Sequence, residues 1–197
     1  MKPRERFRAV RAGYTPRAVL KLLSNPLRFL RSDREAPLPQ RPDGVLILCT
    51  GNVCRSPMAE AVLRRLLLDR APGTRVESAG LGAPVGMPAD PHAIELMSER
   101  GLDITGHRAR RATARMLEEF PVVLVMEAVQ RKLVASRYRG ARRRTHRLGD
   151  WSDFDVPDPI GGDRVEFEQA LQLIDRGIAD WLERLWPVGA RVSGTLE

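Results

Sequence analysis

The chain has 197 residues, with 33 Lys+Arg against 25 Asp+Glu and a formal net charge of +8. This length suits one domain with an appendage, and 43% hydrophobic with 29% charged residues is typical of a globular protein. Two cysteines are too few for a disulfide-rich secreted scaffold, and apolar stretches such as Val122–Met126 are too short to cross a bilayer. The basic excess suggests a nucleic-acid or membrane-surface partner, so its distribution along the chain matters.

The basic excess is concentrated at the N-terminus. Residues 1–43 carry eleven Lys+Arg and four Asp+Glu, a net charge of +7, whereas residues 44–197 carry 22 and 21, a net charge of +1. The extension ends in a proline-containing stretch that is typical of a linker, and Thr15-Pro16 predicts a helix start within it. Its interrupted apolar core does not fit a signal peptide. We predict a basic extension, partly helical or disordered, that packs loosely on the domain or contacts anionic lipid or an acidic partner.

The rest of the chain alternates between strand-like and helix-like segments. Continuous apolar runs such as Gly44–Cys49 are typical of strands buried on both faces of a parallel sheet. The predicted strands are residues 44–49, 74–79, 121–126 and, at an edge, 144–148, and the predicted helices begin near residue 56 and cover 91–100, 127–136 and 164–185. This order predicts an α/β domain at residues 44–188 with a parallel sheet, followed by a tail at 189–197. Ligands in such domains bind at the carboxyl ends of the strands.

The segment between the first strand and its helix has the features of an anion-binding loop. It reads CTGNVCRSP and starts at Cys49. Gly51 and Asn52 tolerate the backbone conformations that turn successive N–H groups inward. The Ser-Pro pair opens a helix whose positive N-terminus faces the same cavity, and Arg55 can hold two oxygens of a tetrahedral anion. The sequence therefore predicts a phosphate site at the end of the first strand.

Cys49 leaves the strand at the base of this predicted cavity. A helix N-terminus and an adjacent cation stabilise a thiolate, so the features that bind phosphate also favour an ionised nucleophile. A cysteine at a strand end is more often an inert core thiol, and Cys-x4-Cys can be half of a metal site. The chain has no second cysteine pair and only three His, so we predict neither a metal nor another cofactor. A Cys followed after five residues by Arg-Ser favours the nucleophile.

A thiolate that accepts phosphate needs a proton donor for the leaving group. Asp158 is the candidate, because prolines on both sides stiffen its loop and hold the carboxyl group in place. Asp153, Asp155 and Asp163 are local competitors, and Asp163 is well suited to cap the last helix. We predict that Asp158 is the general acid.

Together these motifs resemble the low-molecular-weight protein tyrosine phosphatase family, in its bacterial form, over about residues 44–186. The resemblance rests on five segments in family order: Cys49–Pro57 with Met58-Ala-Glu-Ala61, Ser78-Ala79-Gly80, His107-Arg-Ala-Arg110, Met126 after an apolar strand, and Asp158-Pro159. It implies a flavodoxin-like fold, a four-stranded parallel sheet flanked by helices on both faces. It also implies metal-free hydrolysis of a phosphorylated protein through a cysteinyl-phosphate.

The resemblance further implies a role for each site residue. Cys49 attacks phosphorus, Arg55 and the loop N–H groups hold the equatorial oxygens, and Asp158 protonates the leaving oxygen and then activates water. The implied phosphate-binding loop is Thr50, Gly51, Asn52, Val53, Cys54 and Arg55. The implied supporting network is Asn52, Ser56, Ser78 and His107, where Ser56 donates to the thiolate and His107 braces Asn52. Cys54 matches a second loop cysteine that forms a reversible disulfide with the nucleophile, although it also suits a small buried filler.

Two features of the sequence favour different phosphorylated residues. Tyrosine-specific members place aromatic side chains around the pocket mouth, but here Ile160 follows the Asp-Pro pair and the loop at residues 81–86 has no aromatic residue. Trp151 or Phe154 is a candidate for one wall. Bacterial protein-arginine phosphatases share an apolar residue and Gly-Gly after Asp-Pro, but they favour Thr where this chain has Val53. Because Val lacks a hydroxyl that would position water or a guanidinium, we predict phosphotyrosine, with protein-arginine phosphatase as the alternative.

Two remote alternatives belong to other functional classes. Thiol-linked arsenate reductases on this scaffold use further cysteines outside the loop, whereas this chain has only Cys49 and Cys54. A nucleic-acid-binding module rests only on the charge and lacks aromatic platforms beside the basic residues. We therefore expect a cytoplasmic, monomeric phosphatase with no nucleic-acid partner. Its extension, residues 1–43, is the candidate contact to a membrane or an acidic partner.

Overall fold

The computed structural model describes residues 37–188. The helix start predicted at Thr15-Pro16 and the C-terminal tail lie outside the described residues. Four strands form one sheet in the order β2-β1-β3-β4, and every pairing is parallel. The strands are β1 (Gly44–Cys49), β2 (Arg75–Gly80), β3 (Val122–Val125) and β4 (Thr145–Arg147). The predicted parallel sheet, with the fourth strand at an edge, is confirmed.

Five helices and one 3-10 helix connect the strands. They are α1 (Arg55–Arg70), α2 (Pro91–Glu99), α3 (Ala114–Glu119), α4 (Ala128–Arg137), the 3-10 helix Arg139–Arg144 and α5 (Arg164–Leu185). The sequence predicted all of them except α3 and the 3-10 helix. These two are six residues long and bury one side chain each, Leu117 and Ala141, so neither has an apolar period that could be recognised.

The helices cover both faces of the sheet, as predicted. Successive residues of β1 point to opposite faces, and all six are buried. Val45 and Ile47 pack with α1, α2 and α5, whereas Leu46 and Leu48 pack with α3, α4 and the 3-10 helix. The predicted apolar face of α5 is buried throughout; its members are Phe167, Leu171, Ile174, Ile178, Trp181, Leu182 and Leu185. Each such side chain contributes about 1.5–3 kcal/mol through the hydrophobic effect.

The topology places a crevice at the end of β1. Strands β2 and β3 lie on opposite sides of β1, so the connections leaving β1 and β3 diverge there, the usual ligand position in an open parallel sheet. Cys49 ends β1 beside Gly80, which ends β2. A Cβ atom at Gly80 would lie 2.8 Å from the Thr50 carbonyl oxygen and 3.0 Å from the Asn52 nitrogen, so this close approach requires glycine.

The segment between β4 and α5, residues 148–163, contains no regular helix or strand and is called the Asp158 loop below. It ends at Asp163, whose carboxylate accepts from the Glu166 N–H, while the Glu166 carboxylate accepts from the Asp163 N–H. Asp163 thus caps α5, as its position in the sequence suggested. None of the helices in residues 37–188 has both the length and the hydrophobicity that a bilayer crossing requires.

Candidate active site

The phosphate-binding loop, residues 50–55, turns its carbonyl groups outward. The carbonyl oxygens of Thr50 and Val53 accept from the backbone N–H groups of Gly82 and Asp90 at 2.9 and 2.8 Å. The N–H groups of Gly51, Val53 and Cys54 have no hydrogen-bond partner within residues 37–188. Unpaired N–H groups that line a buried loop form a nest for an anion. The loop therefore has the geometry of an oxyanion cradle.

The thiol of Cys49 lies at the base of this cradle and is only 2% exposed. Its sulfur is 3.0 Å from Ser56 Oγ and accepts a hydrogen bond from the Asn52 backbone N–H at 3.1 Å. A hydrogen bond donated to a sulfur stabilises negative charge on it, and the Asn52 N–H is such a donor. The structure thus brings Cys49 together with Ser56, as the resemblance implied.

Asn52 is the central residue of the supporting network. Its φ of 54° is in the left-handed region, which asparagine tolerates better than most residues. The side-chain amide donates to Ser56 Oγ at 2.9 Å and Ser78 Oγ at 2.8 Å, and its oxygen accepts from the Arg110 backbone N–H at 3.0 Å. His107 Nε2 lies 2.7 Å from the Asn52 carbonyl oxygen and must donate to it. All four members of the predicted network are in contact.

Glu60 extends this network, and the sequence analysis assigned it no role. Ser78 Oγ donates to Glu60 Oε2 at 2.6 Å, and Arg64 on the same helix pairs with the other carboxylate oxygen. Arg64 also donates to the Val76 carbonyl oxygen at 2.8 Å. Glu60 therefore connects α1 to β2 and fixes the hydroxyl group that holds Asn52. Its place in the Met-Ala-Glu-Ala motif was the available signal.

Arg55 is fully buried and lies between two carboxylates. Its Nη1 donates to Glu127 Oε2 and to the Val156 carbonyl oxygen, both at 2.9 Å. Its Nη2 lies 2.5 Å from Asp158 Oδ2, an ion-pair contact without hydrogen-bond geometry, since Nη2 and Nε have no hydrogen-bond partner. Burial lowers the pKa of Arg55, but Asp158, Cys49 and Glu127 together raise it above its usual value. The guanidinium therefore stays charged and keeps its Nε–Nη2 edge for an anion.

Glu127 and Gln130 hold Arg55 in place, and the sequence analysis missed both. Gln130 Nε2 donates to Glu127 Oε2 at 2.8 Å and to Thr50 Oγ1 at 3.1 Å, while its Oε1 accepts from the Met126 N–H at 2.9 Å. Gln130 thus joins the end of β3 to the phosphate-binding loop. Glu127 immediately follows the predicted strand 121–126, at the sheet edge where ligands bind, and this position could have identified it.

Asp158 lies beside Arg55, and its competitors lie elsewhere. Its side chain is 33% exposed, and its Oδ1 accepts a weak bond from the Ile160 N–H at 3.4 Å. Asp153 and Asp155 both bind Arg147, and Asp163 caps α5. Among the four Asp residues that the sequence offered in this loop, only Asp158 contacts Arg55.

Both cysteines are buried and free. Burial raises the pKa of the Cys54 thiol well above its usual value, and Asp90 and Asp158 raise it further. Cys54 therefore stays a neutral thiol at physiological pH.

The two aromatic side chains considered for the pocket wall pack against α5. The Trp151 ring lies 5.5 Å from the Trp181 ring and 4.1 Å from the Arg184 guanidinium. Phe154 lies under the guanidinium of Arg176 at 5.4 Å. Both rings are therefore engaged with α5 rather than with the phosphate-binding loop. Within residues 37–188, no group of three His, Cys, Asp or Glu side chains is arranged to hold a metal ion.

Comparison with known proteins agrees with this geometry. Residues 44–188 match the family described as low molecular weight phosphotyrosine protein phosphatase. The probable low molecular weight protein-tyrosine-phosphatase EpsP of Ralstonia nicotianae is 41% identical over 145 residues, which cover 74% of this chain and 97% of EpsP.

Two solved structures are also similar. The tyrosine phosphatase Wzb from Escherichia coli K30, in complex with sulphate, matches with a TM-score of 0.68 and 36% identity, covering 73% of this chain and 99% of Wzb. The YwlE arginine phosphatase matches with a TM-score of 0.63 and 28% identity, covering 72% and 96%. A family match over most of the chain, with relatives above 30% identity, establishes that this protein is an enzyme of the low-molecular-weight protein-tyrosine-phosphatase family.

Proposed function

We propose that this protein hydrolyses phosphotyrosine in proteins through a cysteinyl-phosphate on Cys49. One observation carries the proposal: a buried sulfur that accepts from the Asn52 N–H and contacts Ser56 Oγ lies at the start of a loop that ends in a buried guanidinium whose Nε and Nη2 have no hydrogen-bond partner. A tetrahedral dianion that accepts from this edge and from the loop N–H groups would present its phosphorus to the sulfur. Membership of the family supports the same reaction.

In the first step, the Cys49 sulfur attacks phosphorus and the bond to the tyrosine oxygen breaks. The equatorial oxygens accept from the loop N–H groups and from Arg55, and these bonds strengthen as charge develops in the transition state. Asp158 donates its proton to the departing phenolate oxygen. Because Asp158 Oδ2 occupies the neighbourhood of Arg55 Nη2 in the unliganded enzyme, the incoming phosphate replaces it there.

In the second step, a water molecule attacks the cysteinyl-phosphate. The Asp158 carboxylate takes a proton from this water, the sulfur–phosphorus bond breaks, and Cys49 leaves as a thiolate. Ser56 Oγ, 3.0 Å from the sulfur, stabilises the departing thiolate by donating to it. Phosphate and the starting enzyme are regenerated without a metal or another cofactor.

The preference for phosphotyrosine over phosphoarginine rests on Val53 and on the relatives. Val53 is 2% exposed and supplies no hydroxyl group to the loop. The relatives named as tyrosine phosphatases are 41% and 36% identical, whereas the arginine phosphatase is 28% identical. Ile160, which follows Asp158-Pro159, is the feature that favours phosphoarginine.

Two peptides with the same flanking residues, one phosphorylated on tyrosine and one on arginine, test this proposal. We expect a higher kcat/KM for phosphotyrosine, no turnover of either peptide by Cys49→Ser, and a gain only for phosphoarginine in Val53→Thr. Comparable turnover of both peptides by the natural protein would contradict the specificity. Turnover that persists in Cys49→Ser would contradict the mechanism.

We also propose that Cys54 protects the nucleophile from irreversible oxidation. Hydrogen peroxide converts the Cys49 thiolate to a sulfenic acid, the Cys54 thiol attacks that sulfur, and water leaves as the disulfide forms. The raised pKa of Cys54 keeps it a neutral thiol, which reacts with peroxide more slowly than a thiolate does. After peroxide treatment, we expect dithiothreitol to restore activity in the natural protein but not in Cys54→Ala. Equal recovery in both would refute the protective role.

The N-terminal extension, residues 1–43, is proposed to hold this cytoplasmic enzyme on anionic lipid. It joins the domain at Gly44, the start of β1, and residues 137–144, with five Arg and no acidic residue, lead into the start of β4. Since the strands are parallel, both features lie at the sheet edge opposite the active site. Anionic lipid attracts such polybasic surfaces.

Vesicles of phosphatidylcholine with and without phosphatidylserine test this contact. We expect the full-length protein to sediment only with the anionic vesicles at low salt, and a form starting at residue 37 to lose most of this binding. Capture of acidic proteins without vesicle binding would reject the lipid in favour of a protein partner.

A further inference from the structure

We propose that Arg147 is a positioning residue that holds the Asp158 loop in the geometry required for proton transfer. This inference rests on the proposed function, in which Asp158 is the general acid. It concerns a side chain at the end of the edge strand, outside the phosphate-binding loop and its supporting network.

Arg147 is the last residue of β4, and its half-buried guanidinium binds three carboxylates of the Asp158 loop. Nε lies 3.0 Å from Asp150 Oδ1, Nη2 lies 2.7 Å from Asp153 Oδ1, and Nη1 lies 3.2 Å from Asp155 Oδ1. The Arg147 backbone N–H also donates to Asp150 Oδ2 at 3.0 Å. One cation therefore ties together three points along six residues of the loop.

The strand end that carries Arg147 is itself anchored in the core. The Arg147 carbonyl oxygen accepts from the buried Trp181 indole at 3.2 Å, and the next residue, Leu148, donates its N–H to the Val125 carbonyl oxygen at 2.8 Å. The position of the guanidinium is thus fixed by the sheet and α5. The Asp158 loop, in contrast, contains no strand or helix whose backbone hydrogen bonds would define its conformation.

Asp155 connects Arg147 to the residues around Arg55. Its Oδ1, besides contacting Arg147, accepts from the Ala128 N–H at 3.0 Å at the start of α4. The next residue, Val156, donates to the Met126 carbonyl oxygen and accepts from Arg55 Nη1, both at 2.9 Å.

Asp158 follows Val156 by only two residues, with Pro157 between them. A short, proline-stiffened connection gives the carboxyl group little freedom once Asp155 and Val156 are fixed. Without Arg147, Asp153 and Asp155 would lose their pairing with this cation, and Asp150 would keep a longer contact to Arg131 at 3.9 Å, so mutual repulsion would loosen the loop. A displacement of about 1 Å at a reacting group can reduce a rate by about two orders of magnitude.

The signature of a misplaced general acid is sensitivity to the leaving group. Phenyl phosphate needs protonation of its poor leaving group, whereas p-nitrophenyl phosphate releases an acidic phenol that needs it far less. The ratio of kcat/KM for the two substrates therefore reports the acid, because kcat/KM covers only the steps through phosphoryl transfer. A change that merely destabilises the fold lowers both values equally and leaves this ratio unchanged.

We would measure this ratio for the full-length protein and for Arg147→Gln, Arg147→Lys, Asp158→Asn and the double variant Arg147→Gln/Asp158→Asn. Arg100→Gln is the matched control, because Arg100 makes a two-point pair with Asp175 at 2.8 Å on another part of the surface. We expect Arg147→Gln to lower kcat/KM about tenfold for phenyl phosphate and much less for p-nitrophenyl phosphate. Arg147→Lys should recover part of the loss, and Arg100→Gln should change neither value.

The double variant distinguishes a failure of the Arg147 inference from a failure of the acid assignment to Asp158. If Arg147 acts through Asp158, adding Arg147→Gln to Asp158→Asn changes the ratio no further. A full additional effect in the double variant, or equal losses for both substrates in Arg147→Gln, would overturn the inference while leaving the acid role intact. An unchanged ratio in Asp158→Asn would instead overturn the acid assignment itself. Asp155→Asn, which removes one carboxylate and keeps the cation, should reproduce the Arg147→Gln effect even if that variant folds poorly.

Discussion

The phosphate-binding loop and the Asp158 loop contribute to one reaction but are held by different forces. In the first, the Cys49 sulfur and the Asn52 amide are fixed by buried hydrogen bonds, several of them between residues less than eight apart. In the second, Arg147 fixes three carboxylates, and Asp153 and Asp155 are 91% and 43% exposed. Buried hydrogen bonds define one geometry, whereas exposed ion pairs are weaker and screened by salt. The proposed nucleophile is therefore held by contacts that salt does not screen, whereas the loop that carries the proposed acid is held by contacts that salt weakens.

Arg55→Lys should have the largest effect, because Arg55 belongs to the phosphate-binding loop and also contacts Asp158 of the other loop. Lysine keeps the charge but loses the Nε–Nη2 edge and the bonds to Glu127 and Val156. We expect kcat/KM to fall about 10²- to 10³-fold for phenyl phosphate and p-nitrophenyl phosphate alike. Steady-state kinetics measures this, with Arg100→Lys as the control. A loss confined to phenyl phosphate would mean that Arg55 acts mainly by placing Asp158.

Asn52→Ala and Asn52→Gly distinguish the contribution of the Asn52 side-chain hydrogen bonds from that of its backbone conformation. Both variants lose the bonds to Ser56, Ser78 and the Arg110 N–H, so we expect activity to fall about 10²-fold in each. Glycine accepts a φ of 54° without cost, whereas alanine there costs about 1–2 kcal/mol. Urea unfolding should therefore find Asn52→Gly the more stable of the two. Equal stability would show that the φ angle relaxes, and near-normal activity would remove Asn52 from the machinery.

Gly80→Ala tests the contact between β2 and the phosphate-binding loop without altering a polar group. The added methyl would meet backbone atoms of Thr50 and Asn52 at 3.0 Å or less, so the loop must shift. We expect a loss of about 1–3 kcal/mol in unfolding free energy and lower activity. Gly140→Ala is the control, because nothing lies within 4 Å of a Cβ atom there. Equal behaviour of the two variants would contradict the close approach.

Asp153→Asn should have the smallest effect, although Asp153 belongs to the Asp158 loop and contacts Arg147. Asp153 contacts Arg147 at 2.7 Å, but its side chain is 91% exposed, so water compensates for most of the lost attraction. Asn also tolerates the φ of 48° at this position. We expect kcat/KM to change by less than about twofold at physiological ionic strength, with a larger change at low salt. A loss as large as that of Asp155→Asn would mean that all three carboxylates matter equally.

Several elements show which structural features the sequence contained. Strand β1 and helix α5 were predicted at their observed ends, because a continuous apolar run and a long apolar face are properties of contiguous residues. Helix α3 escaped notice because its only buried residue, Leu117, makes no pattern. The loop motif likewise predicted the grouping of Cys49 with Ser56, since both are on one short segment.

The amino-acid sequence by itself determined the fold class, the phosphate-binding loop and the location of most of the basic excess in residues 1–43. The flanking prolines already pointed to Asp158, but only the tertiary structure shows that Asp153 and Asp155 bind Arg147 while Asp158 contacts Arg55. It also brought Glu127 to Arg55, 72 residues away along the chain, and placed three carboxylates of the Asp158 loop around Arg147. Local patterns encode local geometry, whereas ion pairs across a parallel sheet depend on how its strand ends are brought together.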